Sequence, residues 1–303
     1  MADILMIGIR FLLFADLMLI VGLAAFPLYA VRGLDDDATG ISAELAVAQP
    51  WLCGFGLLTS LAGMLALTAS MQGVAISDVA PAMFVSMATE TDVGKAWIVR
   101  ILALGVAIIA AGQLRRRPPG AGLMLALASA TALASLVWSG HAAASEGLPG
   151  TIHRTADALH MIAAGIWLGA IAAFLILLRP AADGVGQPRS HMAARSLERF
   201  APVGTGCVIA IAATGMINFE MIVGLERAGS MLRSTYGYLL IAKLLLFAGM
   251  LVLAALNRWR FSPALSTSYD GPSRAAVRRS LAFEASAAAS ILAVVAILGT
   301  IEP

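Results

Sequence analysis

Charge is what this chain has least of. Asp, Glu, Lys and Arg make up 13% of its 303 residues, about half the share usual in soluble domains, and that excludes an ordinary soluble protein. Cysteine is nearly absent too. The two present, Cys53 and Cys207, lie inside apolar runs toward the ends expected to face a reducing cytoplasm, so they read as small packing thiols rather than a disulfide. No activated nucleophile, oxyanion arrangement or phosphate-binding glycine loop is present, which leaves a hydrolase without support and no enzymatic activity expected. No linker is long enough to hide a soluble domain, and no internal repeat or low-complexity tract interrupts residues 1–303, which read as a single domain. The net charge of +2 is uninformative about partners, and nucleic acid is not expected among them.

What the chain has instead is apolar length. It is 60% hydrophobic with a mean hydropathy of +0.88. Eight runs are long enough to cross a hydrocarbon core of about 30 Å as helices: Ile4–Val31, Pro50–Met71, Ala96–Leu114, Gly120–Ser139, Ile152–Leu178, Phe200–Val223, Tyr236–Leu256 and Leu281–Ile301. Barrel strands would be shorter and alternating, so the expected fold is all-α, a polytopic membrane bundle of about eight helices in contact with lipid.

Basic residues are distributed unevenly between the loops. Arg32, Arg115–Arg117, Arg179, Arg189, Arg195, Arg199, Arg258, Arg260, Arg274, Arg278 and Arg279 fall on one side; Lys95, Arg154, Arg227 and Arg233 fall on the other. By the positive-inside rule both termini are extracytoplasmic. No Lys or Arg precedes the first run, which suits an outward N-terminus and argues against a cleaved signal peptide.

Against this background the scarce polar residues stand out. Three of the four histidines, His141, His153 and His160, fall within twenty residues at one expected membrane boundary. His153, Asp157 and His160 occupy an arc of about 60° on one helix face, at 100° per residue. Imidazole and carboxylate stranded in lipid cost several kcal/mol, so that face must meet protein, water or a metal. The three histidines are candidate metal ligands, with Asp157 a candidate to orient a ring. His191 sits in an Arg-rich inner loop and reads as solvated. Arg10, Asp16, Arg100, Glu220, Lys243 and Glu284 are charges inside the runs. Arg10, Asp16, Arg100 and Lys243 are candidates for a polar path descending from the histidines; structural pairs that fix helix packing are the plainer alternative. Met83, Met87, Met216 and Met221, toward the same end, are candidate soft ligands for Cu(I), although methionine is also an ordinary membrane-core residue. Met83 and Met87 sit in Ser77–Thr91, which reads as an interfacial amphipathic helix.

Several short motifs carry a family likeness. Ser139-Gly140-His141-Ala142, Ile152-His153, Asp157 to His160 and Trp167-Leu168-Gly169 resemble the central signature of the copper resistance protein D (CopD) family. Tyr236 to Lys243, Leu256-Asn257-Arg258, Phe283-Glu284 and the closing Thr300 to Pro303 are similar to its last two helices; Arg10-Phe11, Trp97 and Arg100 also fit. The likeness covers essentially the whole chain. It implies a copper resistance D-type transmembrane domain of eight helices in the bacterial inner membrane. It further implies that copper ions are the bound species and cargo, and that a small, separate periplasmic copper-binding protein of the CopC type is a partner. Some relatives carry a histidine shortly after the first-run arginine, where this chain has Leu12-Leu13-Phe14; a ligand set including the first helix is therefore not expected here.

The expectation is a copper homeostasis membrane protein that accepts the ion at the outer histidines and moves it across the membrane. No ATP-binding domain is recognisable, which disfavours a primary pump. The rival reading is a haem-b-binding membrane electron carrier, since histidines on membrane helices are the usual axial ligands; the two clear pairs of a dihaem cytochrome are absent.

Overall fold

Apart from Arg10 and Asp16 the first helix is apolar nearly all round, and a helix of that kind must be surrounded. In the computed structural model, which describes residues 2–31, 37–114, 120–140, 147–179, 186–231, 233–263 and 271–301, α1 (Ala2–Phe26) is at the centre. It ends in a π-helical turn, Pro27–Val31. Around it stand α2 (Asp37–Gln72), α4 (Asp92–Gln113), α5 (Ala121–Ala134, prolonged as a 3-10 turn over Ser135–Ser139) and α6 (Gly147–Leu177), with α3 (Pro81–Glu90) folded back on α4. The other half comprises α7 (Gly186–Ile222), packed on α6, and α8 (Thr235–Leu256), packed on α9 (Gly271–Leu298). α9 in turn touches α1 and α6. Eight of these helices are long and apolar enough to span a membrane.

The first span, Ile4–Val31, has the bounds expected from sequence; others start earlier. α2 begins at Asp37 and runs through Pro50, and α7 runs through Pro202. Neighbouring helices and local adjustments satisfy the backbone groups that a proline frees in a transmembrane helix, so proline marks no boundary here.

α1 and α6 meet through glycine. Lipid removes the hydrophobic drive between helices, and small residues replace it by letting backbones approach closely. A Cβ on Gly22 would collide with the Gly165 carbonyl and the Gly169 backbone; one on Gly169 would collide with Gly22 and Leu23. Gly165 and Gly169 are spaced four apart on α6, a small-xxx-small pair. Below this crossing, Phe26, Phe174 and Phe200 stack edge-on at centroid distances of 5.2 and 5.8 Å. Cys53 and Cys207 are both buried free thiols.

Local chemistry fixes the remaining joints. Pro81 opens α3 at its first turn, where its missing N–H costs nothing. Thr91 caps α4 by accepting the Gly94 N–H at 2.9 Å, and it donates to the Met87 carbonyl at 2.7 Å, which locks α3 to α4. Deep in the other half Asn257, where α8 turns π-helical, donates to buried Glu284 of α9. Two motifs noticed separately in the sequence are thus one contact.

Candidate functional site

A cavity of about 520 Å³ opens at the end of the bundle where both termini lie. α1 contributes Arg10, α4 Arg100 and Trp97, α6 His153, Asp157 and His160, α7 Asn218, and α8 Tyr236 and Lys243. The side chains that the α6 periodicity put on one face therefore do face a common space. Most of the remaining wall is apolar and includes Met6, Met18, Met64, Met71 and Met161.

The α6–α7 register organises the polar wall. Residue 160 stands opposite 214, and 157 opposite 218, as an antiparallel helix pair requires. His160 Nδ1 lies 3.0 Å from Thr214 Oγ1. That hydroxyl donates its own proton to the Ala210 carbonyl of the preceding turn, so it can only accept from the ring. Nδ1 therefore carries the hydrogen, and Nε2 is left with a free lone pair, the form in which imidazole ligates a metal. Gly215 leaves room for the ring, since even a Cβ there would lie 3.6 Å from it. One turn away, Asn218 Nδ2 donates to Asp157 Oδ1 at 3.2 Å, while Asn218 Oδ1 is buried without a hydrogen-bond partner among the described residues. His153 is buried against the same cavity, two turns from His160.

The cations are held by the scaffold. Arg10 Nη1 donates to the Ser139 carbonyl at 3.3 Å, and its guanidinium occupies the space that a side chain at position 299 would need; Gly299 leaves it free. Arg100, 5% exposed, donates from Nε to Ser135 Oγ at 2.9 Å. Arg10 and Lys243 both lie within electrostatic reach of Asp157. Asp157 is thus balanced by two cations and an amide.

Other sequence candidates are placed elsewhere. His141 lies outside the described residues, as do Arg115–Arg117. Asp16 is buried between α1 and α2, with Oδ2 seated over Gly56 and both carboxylate oxygens lacking a hydrogen-bond partner among the described residues; it does not line the cavity. Met216 and Met221 face outward, and Met87 packs with Met64 and Ala88 under Phe84 and Trp97. Neither they nor Met83 line the cavity. Among the described residues no three His, Cys, Asp or Glu side chains are grouped closely enough to hold one metal ion. A haem held between two histidines would need rings facing each other across a pocket; the His141–His160 pair that could do so includes a residue outside the described ones. Thr214 and Asn218 were missed by sequence reading. Their only signal was the i, i+4 spacing of two polar residues within an apolar run.

Comparison with known proteins gives a consistent family. Residues 1–151 match the profile described as copper resistance protein D-like, N-terminal domain, and residues 194–298 match that of copper resistance protein D. The chain is 38% identical to copper resistance protein D of Pseudomonas syringae pv. tomato, over all of this chain and 98% of that protein. It is 30% identical to the inner membrane protein YebZ of Escherichia coli K12, over 98% of each. The copper transport protein CutJ of Bacillus subtilis is 27% identical over 82% of this chain and 45% of its own length. No solved structure matches the chain.

Proposed function

The chain belongs to the copper resistance protein D family, as a multi-pass inner-membrane protein with a copper-related role, and on that footing we propose that it carries copper inward from the cavity at His160. The observation that supports this reading most is the Thr214–His160 hydrogen bond, which leaves Nε2 of a buried-side imidazole free as a ligand at the cavity wall. His153 and the thioethers of Met64 and Met161 line the same space and suit Cu(I) as secondary contacts. A periplasmic copper-binding protein of the CopC type, reaching the cavity from the face that carries the termini, would deliver the ion. On this reading the protein is a transporter rather than an enzyme.

The test is cellular copper content at matched expression. Cells producing the wild-type protein should accumulate more copper than vector controls, and His160→Ala should remove the excess while the protein stays in the membrane. Equal copper in His160→Ala and wild-type cells would refute the proposal.

A further inference from the structure

Among the described residues, the cavity proposed to accept a metal cation is lined by more positive than negative side chains. Arg10, Arg100 and Lys243 line it, and Asp157 is the one carboxylate among the described residues that do so. Asp157 is already engaged by Asn218 and lies between the fields of Arg10 and Lys243. Neither arginine nor Lys243 forms an ion pair among the described residues, and Lys243 makes no hydrogen bond there. Charges paired only to fix helix packing would be matched in number and in contact. These are neither. In a recessed, mostly apolar space water screens poorly, so the excess charge acts at full reach on whatever enters. A bare divalent ion is repelled at the place where His160 Nε2 waits for it.

We propose that copper occupies this cavity together with an anion, the metal on His160 Nε2 and the anion against Lys243 in the field of Arg100 and Arg10. The anion is a small copper ligand, a halide or a carboxylate, and it turns the positive wall from a barrier into a subsite. Specificity follows from the same pairing. A hydrated divalent cation without a bound anion meets the wall alone, whereas a soft metal that keeps an anionic ligand satisfies both halves of the site. This inference rests on the copper reading for its metal half; its anion half stands on the cations alone.

The sign of a charge deletion decides it. In purified full-length protein titrated with Cu(I) in chloride buffer, Lys243→Met should weaken copper binding about tenfold, the loss of one charge-assisted contact. Arg100→Met should act in the same direction, and Lys95→Met, at an exposed surface ion pair with Asp92, should match wild type. If the cavity takes a bare cation, Lys243→Met must strengthen binding instead; that result, or no change in both cavity variants, overturns the proposal. A second readout needs no copper. Trp97 and Trp138 line the cavity and Trp167 is buried in the core, away from iodide, while Trp51 and Trp259 are exposed elsewhere and can be replaced by Phe. Iodide should then quench the remaining fluorescence about twice as well in the Lys243 protein as in Lys243→Met, because the charge concentrates anions, with acrylamide quenching equal in both. Chloride and acetate, added separately, should relieve the quenching and so identify the anion class. Iodide quenching that ignores Lys243 removes the anion subsite, whether or not the protein binds copper.

Discussion

The two halves of the bundle are built to different tolerances. Half of the α6 span is buried, against 6% of the α8 span. α6 meets α1 backbone to backbone through Gly22, Gly165 and Gly169, whereas a Cβ on Gly249 of α8 would meet nothing within 4 Å. The cavity lies across this divide. His160, Asp157, Arg10 and Arg100 stand on the tight side, and Lys243 on the loose one. A metal ligand would need a fixed geometry, and the rigid pair gives the His160 imidazole one. A charge that acts through its field tolerates movement, so the lysine can sit on a helix with few neighbours.

The largest expected effect would break this contrast at its base. Gly169→Leu forces the α1–α6 crossing apart, and folded protein in the membrane should drop about tenfold or more, as overpacking at a backbone contact implies. Gly249→Leu on α8 should leave abundance at wild-type level. Immunoblots of detergent-solubilised membranes read both; equal loss in the two would show that the halves are packed alike.

Next in size are the positioning residues of the tight side. Thr214→Val removes the acceptor that fixes the His160 ring, and copper affinity should fall about 10–100-fold with little change in abundance. Thr214→Ser should restore it. Asp157→Asn should cost less, because Asn218 and the two cations can rearrange around an amide. An Asp157→Asn loss larger than that of Thr214→Val would make Asp157 a ligand after all. Asp16→Asn, buried away from the cavity, should leave copper affinity unchanged in the same titration; a clear drop would extend the site into the α1–α2 seam.

The mildest perturbation addresses orientation and should leave function intact. Cys53 and Cys207 are buried, so an impermeant thiol reagent reports on introduced cysteines. Ser77→Cys should label in spheroplasts, and Ser190→Cys only after the membrane is opened. The reverse pattern would put the cavity on the cytoplasmic side and overturn the positive-inside argument.

Much of the architecture was legible because lipid permits so few solutions. Length and apolarity alone gave eight helices, and a periodicity of 3.6 put His153, Asp157 and His160 on one face. What could not be read was rotation about each helix axis. Met83, Met87, Met216 and Met221 lie at the right end of the molecule but not on cavity-facing sides, whereas Met6, Met18, Met64 and Met161 are turned inward by packing. Depth is encoded locally; facing is decided by neighbours. Thr214 and Asn218 matter only because α7 docks on α6 in one register, and no property of the sixth run announces that. The α1–α6 glycines follow the same rule. Gly165 and Gly169 are spaced four apart in the sequence, but their partner Gly22 and the close α1–α6 approach emerge only in the structure.

The most direct measurement is copper per protein in the purified full-length chain, wild type against His160→Ala, loaded with Cu(I) in chloride and then desalted. The account predicts about one copper per wild-type chain, as a single ligand-bearing cavity implies, and little or none in His160→Ala, with His191→Ala like wild type. Equal copper in the His160→Ala and wild-type proteins would contradict it.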